Sequence, residues 1–366
     1  MKILIIGPGK LKYMPYAHFY LDSIDCVKND VHFAYWNRDE KDEDLNSYHE
    51  ITLHEFKCFI VNNAPLMEKF YKFYRFRRFC KHIIEHNRFD FIIVLHSLSG
   101  LMIYDILKKK YIGKFILDYR DSTYERNKYF RHAVGMLNKW SKVSFISSDG
   151  FREFLPESEL DKTITSHNLL EEDLRHRCYK KNKSDKIRLA FWGFIRHIDI
   201  NKYLIDRISE DSRFELHYYG REQRDALALK EYVREKGCSN IFFHGEYKPE
   251  ERYSFVLSTD IIHNIYFDTN ALHAMGNKYY DGIIFRIPQV CFPGSQMSKM
   301  SETSQVGISL DPRDLDFCDS LYDYYIGIDP ISFNASCDNE LNRVLKEYYL
   351  GQEIIQNIFN NYEPVK

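Results

Sequence analysis

The chain has 366 residues, of which 44% are hydrophobic and 28% charged, and its formal net charge is -2. These values are typical of a globular protein and exclude a disordered or fibrous chain. A near-neutral chain lacks the positive field with which proteins gather nucleic acid, so no nucleic-acid partner is expected. The length favours two domains.

The eight cysteines occur without a CxxC pair or another zinc-type spacing. This pattern indicates reduced thiols in a cytoplasmic protein and no structural metal. The amino terminus, MKILIIGPGK, has an apolar run too short for the core of a signal peptide. No apolar stretch approaches the roughly 18 residues that cross a bilayer, so any membrane contact is expected to be peripheral.

Short apolar strands alternate with helix-length segments in the first half of the chain. The predicted strands are KILIIG, DVHFAYW, DFIIVLHS, KFILDYR and VSFISSD. This rhythm is typical of βαβ units, and therefore of a mostly parallel sheet with helices on both faces. Residues 1–178 are thus predicted to form the first domain.

The rhythm pauses at the polar stretch KKNKSDK, residues 180–186, which is the predicted linker. It resumes with IRLAFWG, FELHYYG, NIFFHG, STDIIHNIY and IPQVCFPG, which predict a second α/β domain over 184–340. The tail over 341–366 has helical spacing, and we expect it to pack back on the first domain.

The predicted fold class is therefore α/β, with two doubly wound Rossmann-like domains. Ligands of such sheets bind at the carboxyl ends of the strands. We accordingly expect the two domains to face each other across a cleft that holds the site.

A glycine turn follows the first predicted strand. Gly7 and Gly9 flank a proline, and such a turn allows a substrate to approach the backbone closely. The dinucleotide fingerprint GxGxxG requires a third glycine at position 12, which is lysine, so NAD is not favoured. Gly7, Gly9 and Lys10 are candidates for binding an acceptor or a phosphate; the alternative is a generic tight turn.

The most specific stretch is NKYYD, residues 277–281, followed by IIFRIPQVCFPG. It resembles the GT-B glycosyltransferases of group 1, the retaining, nucleotide-sugar-dependent enzymes of bacterial surface polysaccharide synthesis. Their carboxy-terminal domain carries an N-K-x-Y-E segment whose acidic residue binds the ribose of the donor. The resemblance gives this role to Asp281, with Asn277 and Lys278 beside it. The alternative is a solvated aspartate on an amphipathic helix.

Retaining members of that family commonly have a second acidic residue eight positions earlier, where this chain has His273. The resemblance makes His273 a candidate for a hydrogen bond to the donor hexose. The alternative is a partly buried helical histidine. Because the usual glutamate is replaced, the stereochemistry of transfer stays open.

The segment FWGFIRHIDINKYL resembles the strand, glycine turn and basic residues that bind the donor diphosphate in the family. The resemblance implies that Gly193 admits the diphosphate and that Arg196 and Lys202 neutralise it in place of a metal ion. No metal or cofactor is therefore expected besides the nucleotide-sugar. Ordinary surface charge is the alternative for both cations.

The later turns YYG and HGEY resemble the segments that lie near the nucleotide base in the family. The resemblance makes Tyr247 a candidate for lining the base pocket.

In the first half, DFIIVLHS and KFILDYRDSTYE resemble the family segment that faces the donor sugar. His96 ends one predicted strand, and Asp118, Arg120 and Asp121 end the next. The predicted catalytic residues are His96, Asp121 and Arg196, with Asp121 as a base or an acceptor-orienting carboxylate. The alternatives are that the carboxylates and the arginine pair and brace the fold, and that His96 is an ordinary strand-end histidine.

Residues 69–88 combine seven lysines and arginines with one glutamate and many aromatic residues. Read as a helix, this stretch places Phe73, Phe76, Cys80 and Ile84 on one side and Arg75, Arg78 and His82 on another. An amphipathic basic helix suits an anionic membrane surface or a lipid diphosphate. The alternative is the solvated face of a packed helix.

The resemblance implies a metal-independent glycosyltransferase that moves a sugar from a nucleoside diphosphate to a glycan or lipid-linked acceptor. The expected setting is bacterial capsule, O-antigen or exopolysaccharide synthesis, in the cytoplasm at the inner face of the membrane. Two alternatives stay open. One is a nucleotide-sugar epimerase or hydrolase of the same architecture, and the other is a noncatalytic protein that binds sugar nucleotides or glycans.

Overall fold

The computed structural model describes residues 1–61, 64–169, 171–176 and 184–360. By its internal contacts the chain divides into two compact units. Unit 1 comprises Met1–His167 and the chain from Glu347 onward, and unit 2 comprises Asn168–Lys346. The predicted boundary at 178 and the linker up to residue 183 lie outside the described residues.

Unit 1 is built on one parallel sheet. Its strands are β1 (Lys2–Gly7), β2 (Asp30–Asn37), β3 (Thr52–Lys57), β4 (Phe91–Leu95), β5 (Phe115–Tyr119), β6 (Val143–Ile146) and β7 (Thr163–Thr165). The strand order is β3-β2-β1-β4-β5-β6-β7, and neighbouring strands are parallel. The helices are α1 (His18–Leu21), α2 (Leu66–Asn87), α3 (Ser97–Met102), α4 (Tyr104–Lys110) and α5 (Lys128–Trp140).

The central strands of unit 1 are continuous apolar runs because helices cover the sheet on both sides. In β1, for example, Ile3, Leu4, Ile5 and Ile6 are all fully buried. One core lies where alternate strand residues meet the inner faces of α2, α4 and α5, which supply Phe76, Leu107 and Leu137. Each such side chain contributes about 1.5–3 kcal/mol through burial.

Unit 2 repeats the design with a six-stranded parallel sheet of order β10-β9-β8-β11-β12-β13. The strands are β8 (Ile187–Trp192), β9 (Phe214–Tyr219), β10 (Ile241–Phe243), β11 (Ile261–Asn264), β12 (Gln289–Cys291) and β13 (Gly307–Ser309). The helices are α6 (Ile198–Ser209), α7 (Arg224–Lys236), α8 (Arg252–Val256), α9 (Thr269–His273), α10 (Asn277–Phe285), α11 (Gln296–Thr303) and α12 (Phe317–Ile326). The predicted fold class, two α/β units with parallel sheets, is confirmed.

The last helix, α13 (Pro330–Asn360), begins in unit 2 and ends in unit 1. Within unit 1, Tyr348 packs against Phe19 with ring centroids 5.0 Å apart, and Phe359 packs against Phe91 at 5.3 Å. The helix continues through Gly351, where a Cβ would lie 2.8 Å from the Phe19 ring. Glycine at 351 therefore serves close packing and does not interrupt the helix.

In each sheet the strand order reverses beside the first strand of the unit. The reversal lies between β1 and β4 in unit 1, and between β8 and β11 in unit 2. Open α/β sheets bind ligands at such switch points, outside the carboxyl ends of the strands. The residues that follow these four strands are therefore the first place to look for a site. None of the described helices is long and apolar enough to cross a membrane.

Candidate functional site

Three glycines follow three neighbouring strands of unit 2. The Gly193 N–H, after β8, donates to the Tyr219 carbonyl at 2.9 Å, and the Gly220 N–H, after β9, donates to the Gly245 carbonyl at 2.7 Å. Gly193 and Gly245 have φ angles of +122° and +81°, and a Cβ on Gly220 would lie 1.9 Å from the Gly193 carbonyl oxygen. Only glycine fits these positions, so the backbone at this edge of the sheet is open to close approach.

Lys278 lies beside this glycine turn. Helix α10 places its Nζ 4.2 Å from the centre of the Phe191 ring and 5.1 Å from that of Tyr266. A Cβ built on Gly193 would be 3.8 Å from the same Nζ. Lys278 is 8% exposed, and no carboxylate or carbonyl of the described residues accepts a hydrogen bond from Nζ. The ammonium is thus held by two aromatic faces alone.

In these surroundings the Lys278 ammonium loses its proton more readily than an exposed lysine does. The pKa of the Lys278 ammonium is lowered to about 7, mainly by burial; Asp281 opposes the shift and Arg196 adds to it. Below the lysine, His263 is fully enclosed, and burial together with Lys278 lowers its pKa to about 3. His263 is therefore neutral, and the site is cationic mainly through Lys278 and Arg196.

The turn that carries Arg196 is fixed by Asn201. The Asn201 side-chain amide donates to the carbonyls of Arg196 at 2.9 Å and His197 at 3.0 Å, and its oxygen accepts from the Tyr218 hydroxyl at 2.7 Å. His197 has a φ of 67°, which turns the chain into α6. The Arg196 side chain is exposed, 5.8 Å from the Phe194 ring, and is free to move toward a ligand.

Two helices also begin at this edge. Helix α6 starts after His197 and α10 starts after Gly276, and neither receives a hydrogen bond from an N-cap side chain. The first N–H groups of a helix carry a partial positive charge and readily bind anions. Together with Arg196 and Lys278, they form a site whose chemistry suits a diphosphate.

Asp281 is buried, not solvated. Its Oδ2 accepts from the Trp192 indole N–H at 2.7 Å, and its Oδ1 is 3.5 Å from the Arg252 guanidinium. Arg252 is paired on its other side with Asp173. Burial raises the pKa of the Asp281 carboxyl, and Arg252 opposes the shift. Each carboxylate oxygen has further lone pairs, so a ribose hydroxyl is compatible with these contacts.

The remaining residues predicted for the donor side have different surroundings. Tyr247 is half-buried and meets Phe255 edge-on at 5.0 Å; burial and then Asp281 raise its pKa to about 12, so it lies near that carboxylate. Asn277 is exposed at the start of α10, and His273 is half-buried at the end of α9. Lys202 lies over the Tyr232 ring of α7 at 4.8 Å.

In unit 1, His96 follows β4 and begins α3. It has a φ of 77°, a conformation that a non-glycine residue seldom adopts and that is frequent at functional sites. Its Nδ1 accepts from the Leu98 N–H at 3.1 Å. Burial lowers the pKa of the imidazole, Asp121 opposes this shift and Arg38 adds to it. Neutral His96 therefore carries its proton on Nε2, where it is a hydrogen-bond donor.

Asp118 and Arg120, at the end of β5, pair with each other in the interior. Arg120 Nε donates to Asp118 at 2.9 Å, its Nη2 donates to the Ser166 hydroxyl at 2.8 Å, and its guanidinium lies 4.4 Å from the Tyr16 ring centre. Asp118 is fully buried and Arg120 is 5% exposed. This pair braces the sheet end, whereas Asp121 is exposed beside it.

The Gly7–Gly9 turn is connected by polar contacts of the next residue, Lys10, to the segment that follows β2. Lys10 is 1% exposed; its Nζ pairs with Asp39 and donates to the Lys41 carbonyl at 2.5 Å. A Cβ on Gly7 would strike Met14 at 2.6 Å, whereas a Cβ on Gly9 would have no neighbour within 4 Å. The turn is thus open at Gly9, and the Lys10 ammonium is engaged within the protein.

Several residues of these sites were not predicted from the sequence. Trp192 precedes the glycine turn but belongs to no motif that would predict its hydrogen bond to Asp281. Arg252, at the start of α8, lies near Asp281, and nothing in the sequence predicts this contact. Arg38, after β2, has a buried Nε–H with no acceptor in the described protein. Such residues are recognisable only once the chain is folded. The described residues contain no group of three or more His, Cys, Asp or Glu placed to hold a metal ion.

A comparison with models of known protein families and with curated protein sequences finds no match. Among solved structures, the chain is similar to sucrose-phosphate synthase from Thermosynechococcus elongatus, with 10% identity and a TM-score of 0.75 over 99% of this chain and 98% of that one. It is similar to HepE of Anabaena, solved with UDP and glucose, with 13% identity and a TM-score of 0.67 over 99% and 100%.

A putative UDP-N-acetylglucosamine 2-epimerase from Listeria monocytogenes is also similar, with 11% identity and a TM-score of 0.63 over 99% of this chain and 97% of that one. At such low identities a structural likeness establishes the fold. The chain therefore has the fold of the GT-B glycosyltransferases.

Proposed function

We propose that the chain is a metal-independent glycosyltransferase that moves a sugar from a nucleoside diphosphate to a glycan or lipid-linked acceptor. The observation that carries the proposal is the meeting of Lys278, Arg196, the Gly193 turn and two uncapped helix starts at one switch point. A diphosphate that leaves with an extra negative charge is stabilised by such preorganised donors. The cations take the place that a metal ion has in other transferases.

In the proposed reaction the bond between the anomeric carbon and the phosphate oxygen breaks, and its electron pair stays on the diphosphate. The acceptor hydroxyl forms the new bond to the anomeric carbon and loses its proton. Lys278, whose pKa is about 7 without a ligand, becomes fully protonated beside the diphosphate because the anion favours the charged ammonium. The guanidinium of Arg196 is proposed to supply a second set of donors to the diphosphate.

Other predicted residues receive roles consistent with their surroundings. Asp281 and Tyr247 lie near each other and are proposed to bind the nucleoside, with Trp192 fixing the carboxylate. His96 is proposed to donate its Nε2–H to a sugar hydroxyl, because its Nδ1 is already an acceptor. Asp121, an exposed carboxylate near His96, is the proposed base or acceptor-orienting group.

The first test is thermal stabilisation by UDP, GDP, ADP and CMP, each with EDTA and with magnesium. Ligand binding to the native state raises the melting temperature. We expect one nucleoside diphosphate to stabilise the protein equally with and without the metal. If no nucleotide stabilises the protein, or if stabilisation needs magnesium, the proposal is wrong.

The similarity to a UDP-N-acetylglucosamine 2-epimerase makes a nucleotide-sugar epimerase the second candidate. The two reactions have different products from the same donor. A transferase releases a nucleoside diphosphate and forms a glycoside with an added acceptor, whereas an epimerase returns an altered nucleotide-sugar. Chromatography of the donor incubated with the protein alone separates the two.

We also propose that unit 1 binds an anionic membrane surface through the outer face of α2. Its first half exposes large apolar side chains, and its second half exposes basic ones. The exposed fractions are 76% for Leu66, 80% for Met67, 72% for Phe70, 60% for Tyr71 and 51% for Tyr74. The opposite face, with Phe76, Cys80 and Ile84, is buried, in agreement with the predicted amphipathic pattern.

Apolar side chains on one helical face, followed by exposed Arg75, Arg78 and Lys81, match the interface of an anionic bilayer. We expect the protein to sediment with vesicles of phosphatidylglycerol and phosphatidylcholine, less at high salt, and not with phosphatidylcholine alone. Met67→Ser/Phe70→Ser should abolish sedimentation. The control is Leu315→Ser/Ile331→Ser, which removes side chains that are 86% and 81% exposed in unit 2. Equal sedimentation of both variants would refute the membrane contact.

A further inference from the structure

Arg38 is a half-buried arginine of unit 1 for which the described residues supply no ion-pair partner. It directly follows β2, and its guanidinium lies 4.8 Å from the ring centre of Trp36 and 5.8 Å from that of Phe73. Its Nε–H is buried and has no acceptor in the described part of the chain. A buried N–H of a charged group that lacks an acceptor is costly, and strongly perturbed charged groups of this kind are frequent at functional sites.

The surroundings of Arg38 contain no carboxylate that neutralises it. Burial alone lowers the pKa of the guanidinium, and no acidic group opposes the shift. The neighbouring Asp39 is engaged with Lys10. Arg38 therefore differs from Arg120, which has Asp118 within 2.9 Å.

The fold places open space beside Arg38. Strand β1 lies between β2 and β4, so the Gly7–Gly9 turn is flanked by Arg38 on one side and His96 on the other. The Lys10–Asp39 ion pair holds the chain after Arg38 against this turn. A Cβ on Gly9 would meet nothing within 4 Å. The Gly9 N–H has no acceptor in the described protein and is available to a ligand.

From this geometry we propose that Arg38 and the Gly7–Gly9 turn bind an anionic group of the acceptor, a phosphate or a carboxylate. This inference rests on the proposed glycosyltransferase function, which it extends by naming the acceptor as negatively charged. A guanidinium fork and a glycine-turn N–H match the two oxygens of either group. The acceptor anion thus has its own site, on unit 1, distinct from the donor diphosphate site around Lys278.

The test measures anion binding without any nucleotide, in the Lys278→Met background, which removes the ammonium of the other anion site. The probes are inorganic phosphate, inorganic pyrophosphate and glucuronate, added at increasing concentration while the melting temperature is recorded. We expect at least one probe to raise it by roughly 2 °C or more. The probe that does so distinguishes a phosphate, a lipid-type diphosphate and a carboxylate.

The expected stabilisation should disappear in Arg38→Met and persist in Arg131→Met, which removes an exposed arginine of α5. Without added anion, Arg38→Met should melt at the same temperature or higher, because the variant keeps the packing and loses an unpaired charge. If Arg38→Met is too unstable to measure, Arg38→Lys carries the test, since it keeps the charge but loses the fork and should lose most of the effect.

Two results would overturn the proposal. One is no stabilisation by any of the three anions, and the other is the same stabilisation with and without Arg38. Neither result depends on the nucleotide, because UDP is absent and Lys278 is replaced. Conversely, a wild-type protein that ignores nucleotides but binds anions through Arg38 would refute the transferase proposal and leave this site standing.

Discussion

The two units share a topology, but the polar residues at their switch points are organised in opposite ways. In unit 2 the cations Lys278 and Arg196 have no carboxylate bonded to them and lie around an open glycine turn. In unit 1 most of the charges pair within the protein, as Arg120 does with Asp118 and Lys10 with Asp39. The same fold thus leaves two cations beside the glycine turn of unit 2, whereas at the switch point of unit 1 two of the charged pairs are neutralised within the protein.

This difference in pairing between the two units depends on which helices and strand ends carry the charged residues. In unit 2 a helix that starts at the sheet edge, α10, brings Lys278 between two aromatic rings, where its ammonium donates to no carboxylate of the described residues. In unit 1 the charged residues come from consecutive positions after strands, and side chains two residues apart can reach each other. Ion pairs thus brace unit 1, between near neighbours for Asp118 and Arg120 and between remote strand ends for Lys10 and Asp39. In unit 2 the packing of α10 surrounds Lys278 with aromatic rings instead.

The largest effect is expected from breaking the pair in unit 1. Asp118→Asn leaves the buried Arg120 without its counter-charge, so we expect the free energy of unfolding to fall by about 3–5 kcal/mol. Urea denaturation measures this change. Asp161→Asn, an exposed carboxylate of the same unit, should change stability by less than about 0.5 kcal/mol. If Asp118→Asn were as stable as the control, the pair would not brace the unit.

The next largest effect is expected at Gly220, one of the three glycines that follow the strands of unit 2. In Gly220→Ala the new Cβ would lie 1.9 Å from the Gly193 carbonyl oxygen, so the backbone must move. We expect a loss of about 3 kcal/mol or more in the free energy of unfolding. Gly9→Ala, where the Cβ has no neighbour within 4 Å, should change it by less than about 0.5 kcal/mol. Similar losses of stability in both variants would mean that the close contact of Gly220 with Gly193 is not the cause of the loss.

Replacing Lys278 tests which unit binds the nucleotide. Lys278→Met should weaken binding of the stabilising nucleoside diphosphate by roughly 100-fold, about 2.8 kcal/mol, because it removes a charge-assisted contact in a dry site. Isothermal titration calorimetry measures the dissociation constant. Lys299→Met, an exposed lysine of α11, should bind normally. Unchanged binding by Lys278→Met would exclude the lysine from the donor site.

The smallest effect is a pH dependence that comes from the same lysine. Because the Lys278 pKa is about 7 without ligand, raising the pH removes the proton that a diphosphate requires. We expect the affinity to fall roughly tenfold between pH 7 and 8.5 in the wild type. Lys278→Arg, which stays charged, should show no such fall. An equal pH dependence in both proteins would assign it to another group.

The same shift changes the stability of the ligand-free protein in a defined direction. The folded lysine has a pKa of about 7 and the unfolded one about 10.5, so the unfolded chain binds more protons between these values. The free energy of unfolding therefore gains a contribution from Lys278 that rises with pH above 7, and this contribution is absent below it. Lys278→Arg should lack the rise, which gives a second readout of the same pKa.

The sequence determined the fold class because apolar runs such as KILIIG and IRLAFW are long enough to be buried strands and recur with helices between them. It also placed the glycine turns, since their position after a strand is a local property. Asp281 and Lys278 were found through the resemblance of NKYYD to a family segment. These predictions depend on residues that are adjacent in the chain, and adjacency is what a sequence records directly.

Only the tertiary structure decided which charges are paired. Asp281 is bonded to Trp192, 89 positions earlier in the chain, and Arg120 lies against Ser166 and Tyr16. Arg38 looks like any other strand-end arginine in the sequence, and only the structure shows that the adjacent Asp39 pairs with Lys10 instead. Electrostatic partners depend on distances of a few ångströms between remote segments, and no pattern of residue types fixes those distances.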